Sequence, residues 1–186
     1  GLNLKLSMME EMPMDMTGGA AVISALNAAV KLNIKKNIVV VVPAVENAIS
    51  GSAYRPGDII TSMSGRTVEV GNTDAEGRLV MADAITYISR KYKPSVLVDV
   101  ATLTGASLVA LGQRYSALMT KSDDLEKQFR EIGEKTGDRV FPLPSSDDYE
   151  EDITPEFADL INTSLTGKMG GAITAGMFVY QFAKDL

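Results

Sequence analysis

The chain has 186 residues, of which 45% are apolar and 23% charged, and its formal net charge is −6. A globular protein with a buried core is predicted. The acidic balance, without a run of Lys or Arg, argues against nucleic-acid or membrane-surface binding. The sequence contains no run of about 18 apolar residues, the length that would indicate a membrane-spanning helix. The chain contains no His and no Cys, which excludes disulfides, thiolate chemistry and imidazole as a base or metal ligand within these residues.

The first part of the chain predicts a helix, a buried strand and a hairpin. Small and apolar residues recur at helical spacing in GGAAVISALNAAVKL, residues 18–32, which predicts a tightly packed helix. The β-branched run NIVVVVPA, residues 37–44, predicts a strand buried on both faces, as in a parallel sheet. YRPGD, residues 54–58, predicts a turn in which Gly57 takes a positive φ. IITSMSG and RTVEVG follow it and predict two short paired strands.

The second part continues the alternation of helices and strands. Buried strands are predicted for SVLVDVAT, residues 95–102, and for ASLVALG, residues 106–112. The predicted helices cover residues 75–92, 122–135 and 170–184. The acidic stretch SSDDYEEDITPEFAD, residues 145–159, predicts a solvated loop or surface face. Together these elements predict an α/β fold, with a three-layer arrangement of a mostly parallel mixed β-sheet and helices on both faces.

Two acids and a guanidinium are concentrated in VGNTDAEGR, where Asp74, Glu76 and Arg78 follow a predicted strand. In an extended backbone, residues two apart point to the same side, about 6–7 Å from each other along the chain. Neighbouring carboxylates repel unless a proton or cation relieves them, and divalent ions would turn the repulsion into ligation. The alternative is a capping box, in which Thr73 and Glu76 satisfy the first turn of the helix. The position at a strand exit fits a ligand site, but the spacing leaves both interpretations open.

The segment NTDAEGRLVMADA, residues 72–84, resembles the signature of the leucyl (cytosol) aminopeptidase family, a group of two-metal exopeptidases. The likeness extends to RPGDIITSMSGRTVEV and DVATLTGASLVALG, to GLNLK and DMTGGAAV near the start, and to FADLINT and GGAITAGMF near the end. It covers essentially the whole chain. The resemblance implies that residues 1–186 are part of a C-terminal catalytic domain. The upstream strand with a metal-binding Lys and Asp, the N-terminal domain and the C-terminal end are expected to lie outside these residues.

The resemblance also implies a metal centre. Asp15, Asp74 and Glu76 match residues that bind two divalent ions per subunit, Zn²⁺ or Mn²⁺ in this family. Three carboxylates do not fully neutralise two such ions, which leaves positive charge to polarise a carbonyl and acidify a water. Lys5 matches the catalytic lysine that holds the substrate carbonyl. Arg78 matches the arginine that holds a bicarbonate ion, the proposed general base. The alternative for Lys5 is a solvated surface lysine, and the alternative for Arg78 is an ordinary residue of the first helical turn.

A substrate site is implied at two further segments. In DVATLTG, the family uses the backbone around Thr102, Leu103 and Gly105 to bind the main chain of the substrate. Met12 matches a methionine that lines the pocket for an apolar first side chain, a task that suits an adaptable thioether. Core packing is the alternative for all four residues. The glycine pair in TGGAAV, residues 17–22, is compatible with an anion site at a helix N-terminus but favours close helix packing.

The resemblance therefore implies a two-metal-dependent aminopeptidase that releases N-terminal, preferably apolar, residues from peptides. It also implies a cytoplasmic homohexamer. Because two ligands of the family lie upstream, residues 1–186 alone are expected to bind metal poorly and to be inactive. The alternative is a non-catalytic structural or regulatory subunit that keeps the fold without the metals. Nucleic acid is not an expected partner, since the chain is acidic.

Overall fold

The computed structural model of the chain describes residues 9–184. Lys5, the predicted catalytic lysine, lies outside the described residues. Within them the fold is mixed α/β, with five helices and five short strands. The helices are α1 (Thr17–Lys31), α2 (Gly77–Tyr92), α3 (Gly105–Leu111), α4 (Asp123–Thr136) and α5 (Gly171–Tyr180). The strands are β1 (Ile59–Thr61), β2 (Thr67–Glu69), β3 (Ser116–Leu118), β4 (Val140–Pro142) and β5 (Leu160–Ile161). Two 3-10 helices cover Met9–Met14 and Asp147–Ile153.

The strands of the described range form two small sheets. The larger has the order β1-β2-β5, in which β1 and β2 are antiparallel and β2 and β5 are parallel. In this sheet Val68 of β2 lies between Ile60 of β1 and Leu160 of β5. The smaller sheet consists of β3 and β4 in parallel. The mixed sheet and the helices agree with the α/β prediction, whereas the predicted three-layer arrangement is not confirmed within residues 9–184.

Two strand predictions are corrected by the structure. Residues 37–44 and 95–102 form no strand, and several of their apolar side chains are exposed, among them Ile38 at 46% and Val98 at 51%. A strand buried on both faces needs a hydrogen-bonded neighbour at its edges and a cover on each side. Within residues 9–184 no strand pairs with either segment, so the apolar runs remain irregular and partly exposed.

The predicted packing role of the glycine pair in α1 is supported. A Cβ atom at Gly18 would lie 2.1 Å from the carbonyl oxygen of Val100, and one at Gly19 would lie 3.0 Å from Cγ1 of Val42. At position 18 only glycine permits this approach, because the atoms it meets belong to the backbone of residues 100 and 101. Helix α1 therefore lies directly against both apolar segments, and its N-terminus lies beside the segment that leads to Thr102.

The turn and hairpin before α2 are formed as predicted. Gly57 has a φ of +91°, the conformation for which glycine is suited. The amide of Asp58 donates to the carbonyl of Arg55 at 3.0 Å, and the amide of Arg55 donates to the Asp58 carboxylate at 2.7 Å. The turn thus leads into β1, and β1 and β2 pair as the two predicted short strands.

A third strand prediction is also wrong, because residues 106–112 belong to helix α3 and its C-terminal end. The hydroxyl of Thr104 accepts a hydrogen bond from the amide of Ala106 at 3.0 Å and caps the helix. Gly112 ends the helix with a φ of +65°. A short apolar run has no periodicity that separates a strand from a helix, and here the cap residues at both ends determine the outcome.

The other helix predictions are confirmed within one or two residues at most ends. Ser122 caps α4 by accepting from the amide of Leu125 at 3.3 Å, and α2 ends before Pro94. The acidic stretch at residues 145–159 is more ordered than predicted, since part of it forms the second 3-10 helix. Glu150 in that helix pairs with Lys184 at 2.7 Å. None of the described helices is long and apolar enough to cross a membrane.

The hydrophobic core lies where α2 and α5 cover the larger sheet. Its buried members come from β2, β5, α2, the second 3-10 helix, and α5 with the residues directly after it. They are Val68, Ala82, Ile85, Ile153, Leu160, Met177, Phe178, Val179 and Phe182. Helices α2 and α3 both pack against α5. This core holds the ends of β2 and β5 side by side, next to the segment that carries Asp74 and Glu76.

Candidate functional site

The segment between β2 and α2, residues 70–76, is here called the acidic loop, and it is packed closely against the end of β5. Val70 is fully buried, and its amide donates to the carbonyl of Asp58 at 2.8 Å. A Cβ atom at Gly71 would lie 2.4 Å from Cγ2 of Thr163 and 2.9 Å from Cδ1 of Ile161. The start of the loop therefore sits on β5 with no room for a side chain.

One buried amide holds most of the acidic loop. Asn162, directly after β5, is fully buried. Its Oδ1 accepts from the amides of Gly71 at 2.8 Å and Asn72 at 3.2 Å. Its Nδ2 donates to the carbonyls of Asn72 at 2.8 Å and Ala75 at 3.2 Å. All four hydrogen-bonding positions of the side chain are used.

Sequence reasoning did not identify Asn162. The only local signal was a polar amide that interrupts the apolar and acidic pattern of FADLINT. That segment was noted solely for its resemblance to the family, and its partners lie about half a chain away.

The two acids of the loop lie close enough to Tyr54 to act on its hydroxyl group. Asp74 is exposed and Glu76 half-buried, and Glu76 Oε1 accepts from Nδ2 of Asn47 at 3.2 Å. Burial raises the pKa of Tyr54, and the negative charges of Glu76 and Asp74 raise it further. The hydroxyl of Tyr54 donates to the carbonyl of Thr73 at 3.3 Å. Two carboxylates on one fixed loop supply hard oxygen donors, so these residues fit a divalent ion such as Mn²⁺.

The structure does not support the capping-box interpretation. Glu76 is itself the N-cap of α2, has a helical backbone, and makes no side-chain capping hydrogen bond. Thr73 lies three residues earlier in the loop and is buried. The helix starts at Gly77 without a capping side chain. The capping explanation for the acids is therefore wrong.

Arg78 lies in the first turn of α2 and is buried, with 8% of its surface exposed. Among residues 9–184 its Nε has no hydrogen-bond partner. Burial lowers the pKa of Arg78 to about 10, while the negative charge of Glu76 acts in the opposite direction. The guanidinium therefore stays protonated at neutral pH, with an N–H group available to a small anion. These properties are compatible with the bicarbonate that the family resemblance implies at Arg78.

Asp15 and Met12 lie at the start of α1. The amide of Asp15 donates to the carbonyl of Met12 at 2.9 Å, and Asp15 is exposed whereas Met12 is half-buried. In the described part of the chain, no three or more acidic side chains are arranged to hold a metal ion. The ligand set of Asp15, Asp74 and Glu76 and the pocket role of Met12 therefore stay predictions.

The predicted substrate-binding residues lie at the start of α3. Leu103 packs against the core, as its alternative interpretation expected. Thr102 and Gly105 are exposed, and a Cβ atom at Gly105 would meet nothing within 4 Å. This backbone is open on one side, while the binding role of all three residues remains a prediction.

Comparisons with known proteins place the chain among peptidases. Residues 1–186 match the family described as "Cytosol aminopeptidase family, catalytic domain". The chain is 54% identical over 185 residues to a probable cytosol aminopeptidase of Xylella fastidiosa (strain M12), covering 99% of this chain and 37% of the relative. It is 55% identical over 185 residues to a probable cytosol aminopeptidase of Stenotrophomonas maltophilia (strain K279a), with the same coverage.

The fold is also similar to a solved structure. A mutant of tomato leucine aminopeptidase superposes with a TM-score of 0.85 at 41% sequence identity, covering 93% of this chain and 34% of that chain. The chain thus spans little more than a third of the length of the relatives it matches.

Proposed function

The chain belongs to the cytosol aminopeptidase family, and we therefore propose that the whole protein is a two-metal-dependent aminopeptidase. It would release N-terminal, preferably apolar, residues from peptides. The observation that carries this proposal is the acidic loop. Asp74 and Glu76 lie on a backbone fixed by buried hydrogen bonds, next to the buried guanidinium of Arg78. Such clustered charges in a fixed geometry are typical of a catalytic site.

The metal centre would be held by carboxylates of this chain. Asp74 and Glu76 would supply ligands from the acidic loop, and Asp15 would supply one from the start of α1. Two divalent ions, Zn²⁺ or Mn²⁺, would provide positive charge that polarises the substrate carbonyl and lowers the pKa of a water. The ions would also relieve the repulsion between the carboxylates of the loop.

Two cationic side chains would assist. The buried Arg78 would hold a bicarbonate ion through its guanidinium, which suits a small planar anion. Bicarbonate held there would supply a general base, a role for which the chain has no His. Lys5 would donate to the oxygen that becomes negatively charged on the substrate.

The substrate would bind next to the start of α3. The exposed backbone at Thr102 and Gly105 would contact the peptide main chain, with Leu103 fixing this backbone to the core. Met12 would line the pocket for the first side chain. The closeness of Gly18 to Val100 supports the grouping, because it brings the α1 segment beside the segment that ends at Thr102.

The proposal for the whole protein includes its architecture. Apolar surface of the extent exposed at residues 37–44 and 95–102 is normally covered, and a three-layer, mostly parallel mixed sheet is proposed for the whole protein from the family resemblance. A cytoplasmic homohexamer is proposed from the family resemblance. Residues 1–186 alone are expected to bind metal weakly, because that resemblance assigns two further ligands to the upstream sequence.

Turnover of leucine p-nitroanilide by the full-length protein tests the function. We expect a chelator to abolish activity and added Mn²⁺ or Zn²⁺ to restore it. Asp74→Asn should lower kcat/KM by more than about 100-fold, beyond the loss typical of residues outside the ligand sphere, and should lower the bound metal. The matched control is Asp124→Asn, which removes the same charge from the exposed first turn of α4.

The alternative is a non-catalytic subunit that keeps the fold. A full-length protein that binds no metal and shows no turnover with several metals and peptides would favour that alternative. Equal losses in Asp74→Asn and Asp124→Asn would also contradict the assignment, because a nonspecific charge effect would then explain both.

A further inference from the structure

We propose that Asn162 is a positioning residue of the metal centre, which sets the affinity for divalent ions through the backbone of the acidic loop. The proposal rests on the proposed function, since it assumes that Asp74 and Glu76 bind metal. Asn162 itself would touch neither metal nor substrate. Its four side-chain hydrogen bonds all go to backbone atoms of the loop.

The side chain of Asn162 has a fixed orientation. The backbone amide of Asn162 donates to the carbonyl of Glu69 at 3.0 Å, and this bond continues the parallel pairing of β5 with β2. The residue is fully buried, and close packing restricts a buried side chain to one rotamer. The side-chain amide is therefore attached to the sheet and the core.

The loop atoms that Asn162 holds flank Asp74 and end directly before Glu76. Two bonds reach Asn72, two residues before Asp74, and one reaches Ala75, between Asp74 and Glu76. The amide of Ala75 also donates to the carbonyl of Asn72 at 3.2 Å. Both carbonyls that Asn162 binds therefore belong to one turn, and this turn determines where the two carboxylates point.

Only a side chain with both donors and acceptors can hold this turn. The loop presents two amides and two carbonyls to one buried point, and a primary amide matches all four. An aspartate in the same place retains the acceptors but faces the carbonyls of Asn72 and Ala75 without donors. An alanine retains neither. Both substitutions should release the turn, although only one removes the side-chain volume.

Gln181 provides a matched control. It is also a buried amide, with 5% of its surface exposed, and its Nε2 donates to the carboxylate of Glu150 at 3.0 Å. It lies at the C-terminal end of α5 and bonds the second 3-10 helix rather than the acidic loop. Its replacement should affect stability without a specific effect on metal binding.

The experiment compares the full-length wild type with Asn162→Ala, Asn162→Asp and Gln181→Ala. Affinities for Mn²⁺ and Zn²⁺ are measured by competition with a chelating indicator, independently of activity, and melting temperatures are measured with the metal removed. We expect both Asn162 variants to bind metal about 10- to 100-fold more weakly, the range for partners that orient ligands. Gln181→Ala should retain wild-type affinity even if its melting temperature falls.

Wild-type metal affinity in the folded Asn162 variants would overturn the inference, and so would an equal loss in Gln181→Ala. If Asn162→Ala does not fold, the isosteric Asn162→Asp decides by the same criteria. A wild-type protein that binds no metal would overturn the proposed function together with this inference. If the wild type binds metal, but no more tightly than the Asn162 variants do, this inference alone is overturned.

Discussion

The contact between the acidic loop and β5 can be tested by giving Gly71 a side chain. In Gly71→Ala the new Cβ would lie 2.4 Å from Cγ2 of Thr163 and 2.9 Å from Cδ1 of Ile161, whereas carbon atoms normally approach to about 3.5–4.0 Å. The side chains of Thr163 and Ile161, or the backbone that carries them, must therefore move by about 1 Å. Gly71 is not among the glycines with a positive φ, so the expected loss comes from this overlap alone.

Overpacking of this kind costs about 1–3 kcal/mol. The melting temperature should therefore fall, by less per kcal/mol than in a chain of about 150–250 residues, because the entropy of unfolding grows with chain length. Thermal unfolding of the full-length protein measures it, in the presence of a chelator so that metal binding does not change the apparent stability. The same displacement should weaken metal binding, because the loop carries Asp74 and Glu76.

Gly77 is the matched control for this substitution. It is the first residue of α2, its φ is not positive either, and a Cβ atom there would meet nothing within 4 Å. Gly77→Ala should be neutral or stabilise the protein by about 0.4–1 kcal/mol, because alanine has fewer conformations in the unfolded chain. Equal melting temperatures for Gly71→Ala and Gly77→Ala would refute the described packing of the loop on β5.

Two further predictions concern the sheet and the core. Asp159 accepts hydrogen bonds from the amide and hydroxyl of Thr67, both at 2.8 Å, and the bond from the amide, followed by that from the hydroxyl, lowers the pKa of its carboxyl. Because the pKa of this carboxyl is lower in the folded than in the unfolded protein, its ionisation stabilises the fold at pH values above the pKa of the unfolded state. This stabilisation is lost as the pH falls through the pKa of the folded state. Asp159→Asn should therefore lower the melting temperature at pH 7, with a difference that shrinks below about pH 4; a constant difference across this range would contradict the ionic contribution. Phe178 is fully buried in the core, and Phe178→Ala should lower the free energy of unfolding by about 3–5 kcal/mol, whereas a loss under about 1 kcal/mol in thermal or denaturant unfolding would place it outside the core.

Helices were more predictable from the sequence than strands, because their signals are local. Ser122 caps α4 within three residues of its partner, and Pro94 limits α2 at a distance of two residues. Strands depend on neighbours that the sequence does not identify. The β-branched run at residues 37–44 has the composition of a buried strand, but no strand pairs with it in the described range. The run at 106–112 became helix α3, since the hydroxyl of Thr104 provided a cap.

The residues of the candidate site could also be selected from the sequence because their signal is local. Asp74, Glu76 and Arg78 lie within five residues of each other, and their segment is sufficient by itself for a specific resemblance. The support of this segment is not local. Asn162 is separated from Gly71 by 91 positions, and the two meet only because β5 pairs with β2. A pattern within one segment cannot reveal a partner that the topology of the sheet supplies.

The neutral character of Asn162 follows from the charge it must support. A loop with two neighbouring carboxylates tends to open before any cation binds, because like charges repel. A lysine or arginine at the end of β5 would counter this repulsion, but it would also compete with metal ions for the carboxylate oxygens. The amide contacts only backbone atoms of the loop, with net contributions of about 0.5–1.5 kcal/mol for each hydrogen bond. It can therefore hold the turn closed without occupying the positions that an ion needs. A loop already fixed in this way loses little conformational freedom when a ligand binds, and a smaller entropic loss means tighter binding.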